Sequence, residues 1–328
     1  MSGKTSNEQI IGLLQEKSGF ISGEEMAAAL GISRAALWKR ISLLRKGGYD
    51  IEASYSRGYR LLTFPDLSVE EIRNAFSPHR GRLGGEVILL DRIDSTNTYA
   101  MELAFRGAPE GTVLLADEQT GGRGRRGRAW ISPPGKNLYM SVILRPDISP
   151  RDATVLTFLA AVAGATAVRA LTSLPVAIKW PNDLLVGGKK LGGILTEMKA
   201  DMDRIFHAVI GIGININMAR ETLPGEIRSV ATSVLAETGK VCRRTPFAVE
   251  ILKEMEKRYR VLREKGRGPL LEEWLSLAAT IGKHVEVTAG EGKISGFAEG
   301  IDEEGMLLLR LPDGSLRKIG SGDILQGS

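Results

Sequence analysis

Four arginines alternate with glycines in one stretch of the sequence, 121–130, which ends in Trp130 and follows an apolar run at 112–116. Glycine has no β-carbon, so its backbone amides can approach bound oxyanions closely. Each arginine adds a permanent charge and a fork of N–H donors that suits phosphate or carboxylate, and the tryptophan offers a flat face to a base. The stretch therefore predicts a loop that closes over a small molecule carrying phosphate. A solvated basic loop or an RNA-binding arginine–glycine patch is the alternative interpretation.

A second polar cluster consists of Ser95, Thr96 and Asn97, between a strand-like run at 86–90 and a helix predicted to begin near Thr98. Short polar residues at such a junction commonly cap the helix N-terminus. The hydroxyl groups of Ser95 and Thr96 would also face a ligand bound at the same place. Spacing alone favours the helix cap.

The composition is typical of a globular protein: of 328 residues, 43% are hydrophobic and 25% are charged, with a formal net charge of +5. This length suggests two or three domains. The single cysteine, Cys242, excludes an intramolecular disulfide and favours a reducing compartment. The longest uncharged stretch, 153–168, is short for a membrane span and predicts a buried helix. Because the N-terminal residues also lack the apolar core of a signal peptide, we expect a cytoplasmic protein with no membrane partner.

The N-terminal residues 7–46 predict three helices, the second capped by Ser22 and the third by Ser33. A short helix, a tight glycine turn and a basic helix are the parts of a helix-turn-helix. Two strand-like runs, 49–53 and 58–62, follow it. Together these elements predict a winged helix.

This winged helix is predicted to bind DNA through basic side chains that reach phosphates or base edges. The residues concerned are Arg34, Lys39 and Arg40 on the third helix and Arg57 on the wing. A winged helix that makes only protein contacts is the alternative. Two apolar residues of the third helix, Leu37 and Trp38, are predicted to belong to the core.

The sequence Phe64-Pro65-Asp66 predicts a linker, because proline ends the preceding strand. Strands and helices then follow as far as an amphipathic helix at 247–265, with a hairpin around Gly187-Gly188. From Gly282 the pattern changes to short strands, with a hairpin signal at Asp313-Gly314.

Four motifs carry a resemblance to a known family. They are the loop at 121–130, Lys-Trp-Pro-Asn-Asp at 179–183, Lys-Leu-Gly-Gly-Ile at 190–194 and Gly-Ile-Gly-Ile-Asn at 211–215. Each motif alone is weak, but their joint order and spacing are specific, and together they resemble biotin protein ligase. With its winged helix, the whole chain is similar to the bifunctional bacterial form, which also represses the biotin operon.

The resemblance implies an α+β fold in three domains. These would be a winged helix-turn-helix at 1–64, a class II synthetase-like mixed α/β catalytic domain at 65–276, and an SH3-like β-barrel at 277–328. The barrel would either help to dock the carrier protein or cap the catalytic domain.

The resemblance also implies a two-step reaction. The carboxylate of biotin attacks the α-phosphate of ATP and gives biotinyl-5′-AMP and pyrophosphate. A lysine amine on the biotin carboxyl carrier domain of a carboxylase then attacks the mixed anhydride and forms an amide. Both steps develop negative charge on oxygen, which fixed cations and amides stabilise. The sequence has no cysteine or histidine spacing typical of a metal site, so Mg²⁺ is expected to arrive with ATP.

The family pattern assigns roles to three groups of residues. Biotin would be bound by Ser95, Thr96, Asn97, Gln119, Gly122, Arg123, Lys190, Gly193, Gly211 and Gly213. The nucleotide would be held by Arg125, Arg128, Trp130, Lys179, Asn182 and Asn215. Catalysis would depend on Lys190, at the junction of carboxyl and phosphate, with Arg123, Arg125 and Arg128.

Some assignments stay open at the level of the sequence. Lys189 and Lys190 are neighbours on one strand and should face opposite sides of the sheet, so only the family position favours Lys190. Asp183 either orders its turn or supports a metal, whereas Trp180 and Pro181 are expected to be framework.

Two rival functions also stay open. Lipoate–protein ligase shares the catalytic architecture, and a biotin-sensing repressor with an inactive enzyme core would share the whole fold. The loop at 121–130, which we call the Gly/Arg loop, and the winged helix favour biotin, and the presence of Lys190 with the arginines argues against an inactive core. Because each chain has one winged helix, we expect operator DNA with two half-sites to bind a homodimer promoted by biotinyl-AMP.

Overall fold

The structure is a computed structural model that describes residues 6–16, 19–63, 65–76, 82–289 and 292–325. The chain forms two compact units, Met1–Arg80 and Gly81–Ser328. The first unit extends past the predicted boundary at residue 64, because it includes a helix after the linker that the sequence did not indicate. Phe64, part of that predicted linker, lies outside the described residues.

The first unit is a winged helix. Its elements are α1 (Ser6–Glu16), α2 (Gly23–Leu30), α3 (Arg34–Lys46), β1 (Asp50–Ser54), β2 (Gly58–Thr63) and α4 (Val69–Phe76). The two predicted caps are confirmed, since the hydroxyls of Ser22 and Ser33 accept from the backbone N–H groups of Glu25 at 3.0 Å and Ala36 at 3.2 Å. The strands β1 and β2 pair antiparallel and form the wing.

Helix α3 turns one apolar face into the core of this unit. Leu37, Ile41 and Leu44 are each 1% exposed, and their spacing places them on one side of the helix. The core prediction is therefore confirmed for Leu37. For Trp38 it is wrong, because this side chain is 64% exposed. One residue further along a helix is about 100° further round it, which turns Trp38 away from the buried face.

The second unit is organised around a mixed β-sheet. Its strands are β3 (Val87–Ile93), β4 (Val113–Gln119), β5 (Leu138–Leu144), β6 (Ala177–Lys179), β7 (Asp183–Val186), β8 (Lys189–Ala200) and β9 (Ile205–Ile214). They lie in the order β3-β4-β5-β9-β8-β7-β6, with β3 parallel to β4 and the other neighbours antiparallel. Gly187 and Gly188 form the predicted hairpin turn, with φ of 55° and 78°; positive values at both central residues are typical of a type I′ turn.

The helices of this unit are α5 (Thr96–Phe105), α6 (Thr154–Thr172), α7 (Val234–Thr238), α8 (Thr245–Lys265) and α9 (Gly268–Leu277). By length and composition α6 is apolar enough to cross a membrane, but most of it is buried inside the protein, as core helices of soluble proteins are. The rings of Phe158 in α6 and Trp274 in α9 stack with centroids 4.5 Å apart. The prediction of a buried helix here is confirmed, whereas α7 and α9 were not indicated by the sequence pattern.

The C-terminal strands form a small SH3-like antiparallel sheet. They are β10 (His284–Ala289), β11 (Gly292–Ile301), β12 (Leu307–Arg310), β13 (Leu316–Ile319) and β14 (Asp323–Leu325), in the order β13-β12-β11-β10-β14. Trp180 attaches this sheet to the larger sheet of the unit, because its buried indole N–H donates to the carbonyl oxygen of Gly305 at 3.1 Å. Trp180 thus has the framework role expected of it. The strand β14 was not predicted, and it carries Asp323 towards the Gly/Arg loop.

Candidate active site

The Gly/Arg loop, the N-terminus of α5 and strands β8 and β9 enclose a cavity of about 220 Å³. Most residues of the predicted biotin and nucleotide sets line it: Ser95, Thr96, Asn97, Gln119, Arg123, Arg125, Arg128, Trp130, Asn182, Lys190, Gly193, Gly211, Gly213 and Asn215. Gly122 and Lys179 are not among the lining residues. A wall that the sequence did not indicate is added by Met218, Leu223, Ile227, Val230 and Ala231. A concave site with a few convergent polar groups is the usual form of a small-molecule pocket.

At one end of the cavity, the N-terminus of α5 is joined to Gln119. Thr96 donates twice to Gln119 Oε1, from its backbone N–H at 2.8 Å and its hydroxyl at 3.0 Å, and Gln119 Nε2 donates to Ser132 Oγ at 3.0 Å. The Ser95 hydroxyl accepts from the backbone N–H of Thr98 at 3.5 Å and caps the helix. Ser95 therefore caps α5 and also lines the cavity, so the two interpretations of this cluster do not exclude each other.

Asn97 lines the cavity but is held on every side by the protein. Its Oδ1 accepts from the Ser141 hydroxyl at 2.7 Å, and its Nδ2 donates to the carbonyl oxygen of Leu195 at 3.1 Å and to Glu197 Oε2 at 2.9 Å. A β-carbon at Gly211 would lie 2.2 Å from Asn97 Oδ1. Gly211 is therefore needed to make room for Asn97, a protein side chain, before any ligand enters.

The Gly/Arg loop folds back on itself. The backbone N–H of Trp130 donates to the carbonyl oxygen of Gly122 at 2.8 Å, and the backbone N–H of Gly124 donates to that of Arg128 at 2.7 Å. A β-carbon at Gly122 would lie only 2.4 Å from the carbonyl oxygen of Trp130. The indole of Trp130 in turn lies on the backbone of Gly213, where a β-carbon would come within 2.7 Å of the ring. These glycines permit the loop to close on its own backbone and on β9.

The arginines of the loop are anchored at both sides of the cavity. Arg123 pairs with Glu197 at 2.9 Å on β8. On the other side of the cavity, Asp323 of β14 pairs with two arginines, Arg128 at 2.6 Å and Arg126 at 3.6 Å. The loop therefore spans the cavity between the sheet and the C-terminal strands. Neither acidic partner was identified from the sequence.

Arg125 is half-buried, whereas the other three arginines of the loop are exposed. It donates to Asn182 Oδ1 at 3.1 Å and to the carbonyl oxygen of Gly322 at 3.3 Å. Desolvation by burial lowers the pKa of its guanidinium, and the carboxylates of Asp323 and Asp183 partly offset that effect. Arginine nonetheless keeps its proton inside proteins. The site thus holds a poorly solvated cation, and an anion entering the cavity would be drawn to it.

Lys190 projects into the cavity from the start of β8. Its Nζ lies 2.7 Å from Asp183 Oδ1 and 5.4 Å from the ring centre of Trp130. The absence of a side chain at Gly193 leaves space for it, since a β-carbon there would lie 3.3 Å from Lys190 Cε. Lys189 is not among the residues that line the cavity, which agrees with the predicted opposite orientation of the two lysines.

Asp183 is the carboxylate that holds two lysines. Besides Lys190, it lies 3.5 Å from the Nζ of Lys179. Lys179 itself faces a second, smaller cavity beside Ile324, to whose carbonyl oxygen it donates at 3.5 Å. The predicted phosphate candidate Lys179 is thus placed apart from the main cavity, because it occupies the outer strand β6 and turns towards the C-terminal strands.

The two asparagines at the far end of the cavity are buried and fixed by their amide groups. Asn182 Nδ2 donates to the carbonyl oxygen of Ile194 at 2.8 Å, and Asn215 Nδ2 donates to that of Thr232 at 2.9 Å. Both side chains therefore direct their amide oxygens away from these carbonyls. Across the described ranges, no group of three or more His, Cys, Asp or Glu side chains is placed to hold a metal ion.

The predicted DNA-contacting residues lie in the first unit. Arg34, Lys39 and Arg57 are exposed, and Arg40 is half-buried. The guanidinium of Arg57 lies over the ring of Phe20 at 4.1 Å, a cation–π contact that holds it beside the wing.

Comparison with known proteins covers all three parts of the chain. The biotin/lipoate A/B protein ligase family matches residues 89–215, an HTH domain matches 7–60, and the biotin protein ligase C terminal domain matches 280–326. The chain is similar to the bifunctional ligase/repressor BirA of Bacillus spizizenii, with 45% identity over 95% of this chain and 96% of that protein. It is also similar to the bifunctional ligase/repressor BirA of Escherichia coli, with 34% identity over 93% of this chain and 92% of that protein.

A solved structure gives the same result for the fold. The biotin protein ligase from Aquifex aeolicus in complex with biotin and ATP has a TM-score of 0.63 and 32% identity, over 73% of this chain and 97% of that chain. Three observations indicate the same family: the order of the matched domains, the extent of the sequence identity and the cavity that the four motifs form. The chain therefore belongs to the biotin protein ligase family, in its bifunctional form with an N-terminal helix-turn-helix domain.

Proposed function

We propose that this protein converts biotin and ATP into biotinyl-5′-AMP and then transfers biotin to one lysine of a carboxylase carrier domain. One observation carries the proposal: a single cavity brings together Lys190, the arginines of the Gly/Arg loop and the glycines of β8 and β9. Lys190 and the arginines stabilise the negative charge that develops in both steps. The glycines leave room for a flat ligand beside the sheet.

The ureido ring of biotin is assigned to the end of the cavity formed by α5. That ring offers N–H donors and a carbonyl acceptor, and so it needs both kinds of partner. The Ser95 hydroxyl accepts at the helix cap and keeps its own proton to donate to the ureido oxygen. Gln119 is held rigidly between Thr96 and Ser132, which favours its role in orienting the ring.

The first step is assigned to the space between Lys190 and Arg125. An oxygen of the biotin carboxylate attacks the α-phosphorus of ATP, the bond from that phosphorus to the bridging oxygen breaks, and pyrophosphate leaves. Lys190 is held at 2.7 Å by Asp183, so its ammonium group is positioned before substrate arrives. Fixed cations stabilise the oxygens that gain charge at the transition state without reorganising.

The adenine is assigned to Trp130. Its ring lines the cavity beside Lys190, whose Nζ lies 5.4 Å from the ring centre, so a flat base bound next to the phosphates would contact the indole. Asn182, whose amide oxygen accepts from Arg125 at 3.1 Å, would help to hold the nucleotide through that guanidinium. Asn215 would contribute its amide oxygen to the Mg²⁺ of the nucleotide, a cation that prefers oxygen ligands and usually binds with substrate phosphates.

In the second step the amine nitrogen of the carrier lysine attacks the acyl carbon. The bond from that carbon to the phosphate oxygen breaks, AMP leaves with the electron pair, and the amine loses a proton as the amide forms. Arg125 and Lys190 stabilise the departing phosphate for the same electrostatic reason.

Substrate choice separates this function from that of a lipoate ligase. We expect labelled biotin to appear on an isolated carboxylase carrier domain when ATP is present, and labelled lipoate not to be transferred to either a biotin or a lipoyl carrier domain. Transfer of lipoate with no transfer of biotin would overturn the proposal. Failure of both, with biotin still bound, would favour the inactive sensor.

Loosening the anchor of the loop should shorten the lifetime of the bound intermediate. Asp323→Asn removes the carboxylate that pairs with Arg128 at 2.6 Å, and we expect release of biotinyl-5′-AMP to become about 3- to 10-fold faster, since an exposed ion pair contributes about 0.2–1 kcal/mol and two arginines share this carboxylate. Stopped-flow chase of the preformed complex measures the rate. Glu299→Gln is the matched control, because Glu299 pairs with Arg310 within the same sheet; equal effects of the two changes would contradict an anchoring role.

We also propose that the winged helix binds operator DNA as part of a homodimer that biotinyl-5′-AMP promotes. Support comes from the HTH match at 7–60 and from the presence of one reading helix per chain, whereas two-fold operators need two. ATP, carrier protein and operator are together in the cytoplasm, where we place the protein. Sedimentation velocity should show a shift from monomer to dimer when biotin and MgATP are added, and an unchanged monomer would count against the proposal.

A further inference from the structure

Trp38 lies on the exposed face of a helix whose opposite face packs against its domain. Its side chain is 64% exposed in the middle of α3, although Leu37 beside it is 1% exposed. A buried tryptophan removes about 150–250 Å² from water. Tryptophan is enriched among the residues that dominate binding energy at interfaces, and this ring lies on the helix that a helix-turn-helix presents to its partner.

The neighbours of Trp38 make it the most prominent group on its side of α3. Ala35 and Ser42 lie one turn before and one turn after it on the same face. The Ser42 hydroxyl donates back to the carbonyl oxygen of Trp38 at 2.9 Å, so it is turned towards the helix. Arg34 and Lys39 are exposed beside this face, which restricts the partner to one that carries negative charge.

Double-stranded DNA meets both requirements. The second helix of a helix-turn-helix, here α3, lies in the major groove, and lysine and arginine contact the phosphates on either side. The groove offers one apolar group at base level, the 5-methyl group of thymine. The thymine methyl is therefore the apolar group that the indole of Trp38 would contact in the major groove.

We propose that Trp38 reads a thymine in the operator by packing its indole against the 5-methyl group in the major groove. This inference rests on the proposed DNA-binding function and adds a specificity-determining residue to it. Arg34 and Lys39 then supply affinity for phosphates without selecting a sequence. Arg57, held over Phe20 at 4.1 Å, does the same from the wing.

The test uses the full chain with biotin and MgATP and a pool of duplexes whose central positions are randomised. Sequences enriched by the wild-type protein define the site, and a scrambled duplex of the same composition measures non-specific binding. We expect Trp38→Ala to lower the ratio of specific to scrambled affinity about tenfold or more, as the loss of one base-pair contact does. Trp38→Phe keeps an aromatic ring and should retain most of that ratio.

A substitution in the DNA tests the same contact without altering the protein. Deoxyuridine in place of thymidine removes only the methyl group. This change should weaken wild-type binding about fourfold for each half-site, and so about 15-fold when one thymine is replaced in both half-sites. The same change should have no effect on Trp38→Ala. Two protein variants are controls. Arg57→Ala should weaken binding to the thymidine and deoxyuridine duplexes equally. Leu62→Ala, which removes another exposed apolar side chain, should leave the affinity for both duplexes unchanged.

Three outcomes are distinguished. Loss of the ratio in Trp38→Ala together with loss of the deoxyuridine effect supports the inference. An unchanged ratio, or a deoxyuridine effect that persists at every thymine in Trp38→Ala, overturns it and leaves the repressor function standing. If the wild-type protein enriches no sequence, the protein does not bind DNA sequence-specifically, and this inference is overturned together with the proposed repressor function.

Discussion

Lys190→Ala should lower biotin-dependent exchange of pyrophosphate into ATP by about 10²- to 10³-fold, the usual loss when one fixed donor to a developing oxyanion is removed. The fold should be little affected. The Lys190 side chain is 33% exposed, and a partly solvated ion pair contributes only about 0–1 kcal/mol. Asp183 would also keep its contact with Lys179 at 3.5 Å. Isotope exchange and a thermal melt measure the two effects.

Lys189→Ala is the matched control for this prediction. It removes the same side chain one position earlier on β8, where the residue does not line the cavity, and we expect exchange within about threefold of wild type. Lys190→Arg, which keeps the charge but changes its geometry, should fall between the two. Near-normal exchange in Lys190→Ala, or equal losses in both alanine variants, would remove Lys190 from the catalytic role.

Gly122→Ala is expected to lower kcat/KM for biotin about 10- to 100-fold. The added β-carbon would lie 2.4 Å from the carbonyl oxygen of Trp130 and 2.7 Å from Ser132 Oγ, so either the loop opens or its backbone shifts. Overpacking of this kind costs about 1–3 kcal/mol, and about 1.4 kcal/mol corresponds to a factor of ten in rate. Because the shift also displaces Trp130, the KM for ATP should rise as well.

The neighbouring glycine provides the control for the loop. A β-carbon at Gly121 would meet its nearest atom, the carbonyl oxygen of Asp94, at 3.4 Å, an ordinary contact. Gly121→Ala should therefore keep kcat/KM within about threefold of wild type. If the two alanine variants behave alike, closure of the loop on its own backbone is not what these glycines provide.

Much of the fold was accessible from the sequence because its signals are local. The serine caps at Ser22 and Ser33, the Gly187-Gly188 turn and the apolar helix α6 each depend on residues within a turn or two of one another. Local chemistry of that kind decides where an element begins and ends. The same reasoning placed Leu37 in the core correctly.

The errors and omissions arise where distant parts of the chain meet. Asp323 lies 195 positions from Arg128 along the chain, and Ser141 lies 44 from Asn97, so no periodic pattern links them. Trp38 was assigned to the core by its apolar character, although its place on the helix turns it into solvent. Its one-residue offset from Leu37 was the signal that would have found it.

The site glycines illustrate a further limit of the sequence. Gly193, Gly211 and Gly213 were expected to leave space for biotin, yet the first atoms that a β-carbon would meet belong to Lys190, Asn97 and Trp130. Packing among protein side chains thus shapes the cavity before a ligand enters. That arrangement depends on the pairing of β8 with β9 and could not be derived from motif spacing alone.

A crystal structure of the protein with a non-hydrolysable analogue of biotinyl-5′-AMP tests the central claim most directly. We expect the ureido ring beside Ser95 and Gln119, the phosphate group within hydrogen-bond distance of both Lys190 and Arg125, and the indole of Trp130 on the adenine, all within the cavity that these residues line. A ligand bound in another part of the protein, or one bound here with Lys190 and Arg125 directed away from its phosphate, would overturn the proposed function.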